Sequence, residues 1–268
     1  MKDTKKRIID FLNRTPIRPV LKYRYEYFYY KKLRDNFWER SEDEGDKLAF
    51  YSKFIGKNDT VFDVGANFGD RTKIFSKLAM KVVAVEPQEE CTKFLNSVFK
   101  KHDNIFIVNK ALGAKKGQAE MSISNACTIS SLSDGWIKAV QESGRFSNYN
   151  WDKKVIVPVD TLDNLIEEYG CPGFIKIDVE GFEDQVLLGL SRPVGGLSLE
   201  FTYEFMESTF RCIRHLSTIS KWKFQIDLGE SMSFHLPDWV GSEEILDELR
   251  KLPRGARGDL YAISLGHC

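Results

Sequence analysis

The sequence is poor in the features that usually settle a protein's class at once. Its five cysteines, at positions 91, 127, 171, 212 and 268 of 268, are scattered and contain no C-x-x-C pair. That pattern argues against a zinc site or a disulfide framework and for a reducing compartment. No apolar run approaches the ~20 residues needed to span a bilayer, and the charged N-terminus lacks the apolar core of a secretory signal. The expected location is therefore cytoplasmic. With 39 basic and 39 acidic residues the net charge is zero, so bulk electrostatics does not select nucleic acid as a partner. Neither the G-x-G-x-x-G of a dinucleotide fold nor the G-K-[ST] of a phosphate loop is present. Internal repeats and low-complexity tracts are absent as well.

What is there is ordinary in bulk and specific in place. A hydrophobic content of 42% and a charged content of 29% describe a globule with a sizeable core. The length suits one large α/β domain with an accessory segment, or two small domains. The chain is organised around Thr60-Val61-Phe62-Asp63-Val64-Gly65-Ala66-Asn67-Phe68-Gly69. Val61, Phe62 and Val64 suit a strand buried on both faces. Gly65 and Gly69 allow backbone angles closed to other residues and the approach of a ligand to the main chain. A helix is expected from Asp70 or Arg71, with Ile74, Phe75, Leu78 and Ala79 at helical spacing. A glycine turn between a parallel strand and a helix is where nucleotide-like cofactors sit in open α/β sheets.

Further strands are expected at 82–86, 105–109, 155–160, 174–179, 196–201, 224–228 and 259–265, with a short one at 117–124. Helices fall between most of them, which indicates right-handed crossovers and a largely parallel sheet. Pro158 argues for an edge position. Residues 125–150, rich in Ser, Gly and Asn, read as a long loop with one helical turn at the substrate mouth. Residues 1–45 are expected to form a helical, basic and aromatic extension, and 46–268 the main domain. The first 40 residues carry twelve Lys/Arg against five Asp/Glu. The aromatic-basic run at 23–32 reads either as an arm packed on the main domain or a second subunit, or as a contact surface for an anionic membrane or a sugar-bearing acceptor.

Asp63 lies beside the glycine turn, where an acid repels phosphate and favours a cationic ligand. Glu86 ends the second strand, where a carboxylate accepts hydrogen bonds from ribose hydroxyls. Together they point to an adenosine ligand carrying positive charge, which describes S-adenosylmethionine. Asn109 and Ala111 end the third strand, within reach of an adenine ring. Asp178 and Glu180 follow the strand 174–177 and are the candidate bases for removing a hydroxyl proton. Lys176 holds charge beside them. Two carboxylates invite a divalent metal, but no third ligand is evident and none is assigned. His235 is a candidate second base, and Ser130 and Ser131 are candidate contacts to cofactor or acceptor.

Five stretches, in order, resemble the motifs of FkbM-type S-adenosylmethionine-dependent methyltransferases. They are residues 63–69 (DVGANFG), 85–87 (VEP), 111–113 (ALG), 159–163 (VDTLD) and 175–183 (IKIDVEGFE). The resemblance covers about residues 58–202. It implies a class I methyltransferase (Rossmann-like) fold: a seven-stranded, mostly parallel sheet with helices on both faces and an antiparallel last strand. It also implies O-methylation of a hydroxyl, often on a sugar or natural product, so the expected acceptor is a small molecule or glycan. The implied cofactor turn is Asp63, Gly65, Ala66, Asn67 and Gly69, with Glu86 as the ribose acid. The rival readings are an NAD-linked oxidoreductase, disfavoured by the missing G-x-G-x-x-G, and a non-catalytic module that binds an adenosine cofactor.

Overall fold

The computed structural model describes residue 32, residues 34–39, residue 41 and residues 43–266. The aromatic-basic run up to residue 31, and the helices expected there, lie outside the described residues. Residues 32 and 34–36 are helical, and the next helix, α1 (Glu44–Tyr51), crosses the expected boundary at residue 45. It packs on α2 (Asp70–Phe75) through a buried carboxylate, since Glu44 lies 3.2 Å from Lys73 and 2.8 Å from Lys77.

Two sheets follow. The larger contains β1 (Thr60–Val64), β2 (Lys81–Val85), β3 (Ile105–Val108), β7 (Phe174–Ile177), β8 (Gly196–Thr202), β9 (Trp222–Leu228) and β10 (Arg257–Ser264). Its order is β3-β2-β1-β7-β8-β10-β9. The strands β3 to β8 run parallel, while β10 is antiparallel to both neighbours. This is the seven-stranded α/β arrangement expected, with the last strand inserted antiparallel. The second sheet joins β4 (Ala111–Leu112), β5 (Gly117–Ile123) and β6 (Lys153–Asp160) in the order β4-β6-β5.

The apolar run of β1 is buried along its whole length because both faces are covered. Phe62 and Val64 join Ile175, Ile177 and Leu199 in a core shared with α5 (Leu162–Tyr169) and α6 (Glu183–Leu187). Val61, Val82 and Phe174 point the other way, onto Phe50, Tyr51 and Phe75 of α1 and α2. Helix α3 (Glu89–Val98) covers the β2–β3 edge through Phe94, Leu95 and Val98. Helices α7 (Met206–Ile219) and α8 (Ser242–Arg250) cover β8 to β10.

Several expectations are corrected. Helix α2 stops at Phe75, so Leu78 and Ala79 lie in the turn that follows. The stretch 125–150 is not one loop with a single helical turn. It contains a 3-10 turn (Cys127–Ile129) and a nine-residue helix, α4 (Asp134–Glu142). Ser133 caps that helix by accepting from the Trp136 N–H at 3.1 Å, and Trp136, Ile137 and Val140 form its buried face. Pro158 is not on an edge strand. It sits in the middle strand of the small sheet, opposite Gln118. The tolerance has a local cause: β4 reaches only Val159 and Asp160, so β6 is edge-like on that side at Pro158. Cys91 and Cys212 are buried, whereas Cys171 is disulfide-bonded. Among the described residues, no helix is long and apolar enough to cross a membrane.

Candidate active site

The strand order reverses between β1 and β7, with β2 and β3 on one side and β8 onward on the other. Loops leaving the carboxyl ends of β1 and β7 therefore part, and a crevice opens there. A cavity of about 410 Å³ occupies it, lined by Asp63, Gly65, Ala66, Asn67, Glu86 and Ala111 on one side and by Asp178 and Glu180 on the other. The small sheet closes it with Met121 from β5 and, beyond that strand, Thr128, Ser130 and Leu132.

The turn after β1 is fixed by its backbone. The N–H groups of Gly65 and Ala66 both donate to the Val85 carbonyl, at 2.9 and 3.0 Å. Gly65 has φ +83, and a Cβ there would stand 1.8 Å from the Asp178 carbonyl oxygen. Its glycine is thus required by the seam between β1 and β7 as well as by the turn. Gly69, at φ +88, faces away from the cavity, where a Cβ would meet Leu95 of α3 and Phe99 just after it. It packs the helix and is not part of the wall.

Glu86 is 2% exposed. One carboxylate oxygen accepts the Asn67 N–H at 2.9 Å and the other the Gln88 N–H at 2.8 Å. Burial pushes its pKa up to about 7, against the pull of those two donors. Asp63 is equally buried and accepts from the Thr72 hydroxyl at the start of α2. Burial raises it to about 6, with Thr72, Lys176 and Arg71 acting the other way. Asn109 is displaced from its expected position on the wall. Its side-chain amide donates to the carbonyls of Glu86 and Pro87, at 3.0 and 3.1 Å, and so holds the end of β2. The neighbouring Lys110 does line the cavity, paired with Asp160 at 2.6 Å.

The opposite wall is crowded with acids. Lys176, 2% exposed, lies 2.8 Å from Asp259 of β10 and 3.3 Å from Asp178. Burial works against its charge, but Asp178 and Asp259 hold its pKa well above the ordinary value. Glu180 takes the left-handed conformation at φ +55, and its carbonyl accepts from the Ser131 hydroxyl at 2.6 Å. Carboxylate oxygens of Asp178, Glu180 and Glu200 all lie within 4.8 Å of one another, close enough to share a proton or a divalent cation. Burial first, then the charge of Asp178, pushes Glu180 and Glu200 well above the usual range. Glu183 closes the turn from below, accepting from the N–H groups of Val179 and Gly181, both at 3.2 Å, and is raised by burial to about 7. His235 is exposed and does not line the cavity, so no second base comes from it.

Two wall residues, Arg71 and Glu230, and one acid clustered behind the wall, Glu200, carry no site expectation from the sequence. Glu200 sits on β8, one of the strands adjacent to β7, and the run 196–201 reads simply as strand. Arg71 is the second residue of α2, and Glu230 follows β9; both line the cavity and pair with each other at 2.5 Å. Only Arg71 carried a signal, as a cation directly after the glycine turn.

The pattern of the Methyltransferase FkbM domain matches residues 63–252. The chain belongs to the FkbM methyltransferase family. No curated protein matches it. Among solved structures, methyltransferase FkbM from Methylobacillus flagellatus KT is 15% identical, at a TM-score of 0.46 over 87% of this chain and 57% of that one. The O-methyltransferase from Bacillus cereus, in complex with SAH, is 13% identical at a TM-score of 0.42, over 84% and 82%. Precorrin-6y C5,15-methyltransferase from Geobacter metallireducens GS-15 is 9% identical at 0.44, over 84% and 90%. At such scores these neighbours add nothing to the strand order. The family places a methyltransferase on this sheet.

Proposed function

We propose that the crevice binds S-adenosylmethionine and that this FkbM methyltransferase methylates a hydroxyl on a sugar or other polyhydroxylated natural product. One observation carries the reading: Asp63 and Glu86 open onto the same cavity as Asp178 and Glu180. The first pair fits the cofactor. Glu86 accepts one backbone N–H on each oxygen, and a carboxylate has about four acceptor sites, so acceptor capacity remains for ribose hydroxyls. Asp63 offers a carboxylate to a cationic amino-acid end, and Ala66, Asn67 and Ala111 complete this side of the wall. The cofactor supplies a methyl group already activated on a sulfonium. The protein then has to align the acceptor oxygen and take its proton. Asp178 is the group we assign to that proton. It is half-exposed on the cavity wall, and Lys176 anchors it from beneath. Glu180 is assigned to hold the acceptor through a neighbouring hydroxyl.

This assignment includes a 1–45 extension and a main domain at 46–268, with α1 starting slightly ahead of the division. It names a small-molecule or glycan acceptor and no nucleic acid. Self-association and membrane contact through the N-terminal arm belong to the same proposal. A cytoplasmic setting does too; the disulfide at Cys171 pulls the other way, and thiol titration of protein alkylated at lysis decides it. The principal test is isothermal titration with S-adenosylhomocysteine. Wild type should bind and Glu86→Ala should bind at least tenfold more weakly, by about the worth of hydrogen bonds to a charged group. Binding of NADH in its place would return the oxidoreductase reading, and undiminished binding by the variant would remove Glu86 from the site.

A further inference from the structure

The cavity wall contains four cations, Lys47, Arg71, Lys110 and Lys176. Lys176 is committed to Asp259 and Asp178 under the floor. Lys110 is paired with Asp160, beside Ala111 in sequence. Lys47 is tied to Asp43 one helical turn back. Arg71 differs. Its side chain is 15% exposed, and it stands over the Tyr51 ring at 5.8 Å. The next residue, Thr72, donates to Asp63. A fork-shaped donor is thereby fixed at the same end of the cavity as the acid that faces a cationic group.

Arg71 has a partner of the opposite character. Glu230 lies 2.5 Å away and is 61% exposed. It sits on the loop after β9, between Gly229 at φ +70 and Met232 at φ +58, with its own φ at +58. Asp227 pins the base of that loop, accepting from the N–H and hydroxyl of Ser231 and from the Met232 N–H at 2.6 to 2.9 Å. The Glu230 carboxylate itself has no other hydrogen-bond or ion-pair partner among the described residues. The arrangement is a largely buried guanidinium whose counter-ion is itself mostly exposed to solvent.

We infer that Arg71 clamps the carboxylate of the cofactor's amino-acid end, and that Glu230 is the stand-in it releases when the cofactor arrives. The inference rests on the S-adenosylmethionine reading and deepens it. That ligand presents an ammonium and a carboxylate on one carbon. Asp63 and Arg71, held by neighbouring residues of one helix start, present the matching pair of charges. A planar guanidinium binds a carboxylate through two parallel hydrogen bonds. Glu230 competes for the same fork, so it lowers apparent affinity by the fraction of time it occupies Arg71.

The test compares two ligands by isothermal titration: S-adenosylhomocysteine, and 5′-methylthioadenosine, which has the nucleoside and sulfur but no amino acid. Arg71→Met should weaken S-adenosylhomocysteine by about tenfold to a hundredfold, the usual worth of hydrogen bonds to a charged group. It should leave 5′-methylthioadenosine within about twofold. Glu230→Gln, on an exposed loop and harmless to folding, should tighten S-adenosylhomocysteine and leave 5′-methylthioadenosine unchanged. Arg71→Lys should fall between wild type and Arg71→Met. Equal loss of both ligands in the Arg71 variants, or no selective tightening in Glu230→Gln, overturns the inference while leaving the cofactor reading intact. A wild type that binds neither ligand overturns both.

Discussion

The two walls of the cleft are built from the same chemistry and finished differently. On the β1–β2 side each acid has its donors: Thr72 for Asp63, the Asn67 and Gln88 backbones for Glu86. On the β7–β8 side Asp178 has Lys176, but the carboxylates of Glu180 and Glu200 receive no hydrogen bond among the described residues. The first wall is complete before any ligand binds. The second is short of donors. Carboxylates in water-poor surroundings are stable only when something donates to them or protonates them. Under the proposed function, the hydroxyls of the acceptor would supply those donors.

The most damaging way to break this comparison is at the seam both walls share. Gly65→Ala places a methyl group on a backbone at φ +83 and against the Asp178 carbonyl. Neither strand can retreat, because Asp178 N–H donates to Val64 at 2.9 Å and Gly65 to Val85. We expect a loss of about 3 kcal/mol or more in urea unfolding. A loss below about 1 kcal/mol would mean that the crevice floor shifts readily, and the fixed geometry of both walls would have to be given up.

Next in size is a pair of substitutions that should separate the walls. Asp178→Asn should slow methyl transfer about 100-fold or more, the usual worth of a positioned general base, with S-adenosylhomocysteine affinity within about threefold. Glu86→Gln should do the reverse, weakening the cofactor about tenfold and changing turnover at saturation little. Single-turnover rates and titrations on the same preparations distinguish the two. If Asp178→Asn reduces affinity as much as rate, Asp178 orders the cofactor and the base lies elsewhere.

The two walls also differ in how far they could be read from sequence. The first lies on one continuous stretch. Asp63, Gly65, Ala66 and Asn67 follow a strand whose apolar run is unmistakable, and Glu86 ends the next such run. The main sheet was legible for the same reason, because β1, β2 and β7 are buried on both faces. The second wall depends on strand order. Glu200 reaches Asp178 only because β8 lies beside β7, with Lys176 opposite Ser198 and Ile177 opposite Leu199. Nothing local in 196–201 announces that neighbour. Helix α4 was hidden differently: its apolar residues are few, and the flanking Ser, Gly and Asn look like loop until Ser133 is seen as a cap. Asn109 misled because a residue at a strand end is placed by its backbone, and its amide then turned back onto β2.

The smallest expected effect probes the shortage of donors itself. Glu200 is raised by burial and by the charges of Asp178 and Glu180, and Glu180 by burial, Asp178 and Glu183. A carboxyl whose pKa is higher folded than unfolded binds more protons in the native state. Stability then falls as pH rises from the ordinary carboxylate range through the folded value. Asp63 at about 6, with Glu86 and Glu183 at about 7, adds to the same slope, so wild type should lose stability between about pH 4.5 and 7. Glu200→Gln removes one ionisation from the crowded wall without removing its size. It should stabilise the protein at pH 8, and do so less at pH 5, closer to the ordinary carboxylate range. Glu86→Gln leaves one acceptor oxygen for the two backbone N–H groups of Asn67 and Gln88, so it should gain less or lose. Urea unfolding of the three proteins at both pH values measures this. An equal gain at pH 5 and pH 8 would trace the effect to packing, and the second wall would then be no shorter of donors than the first.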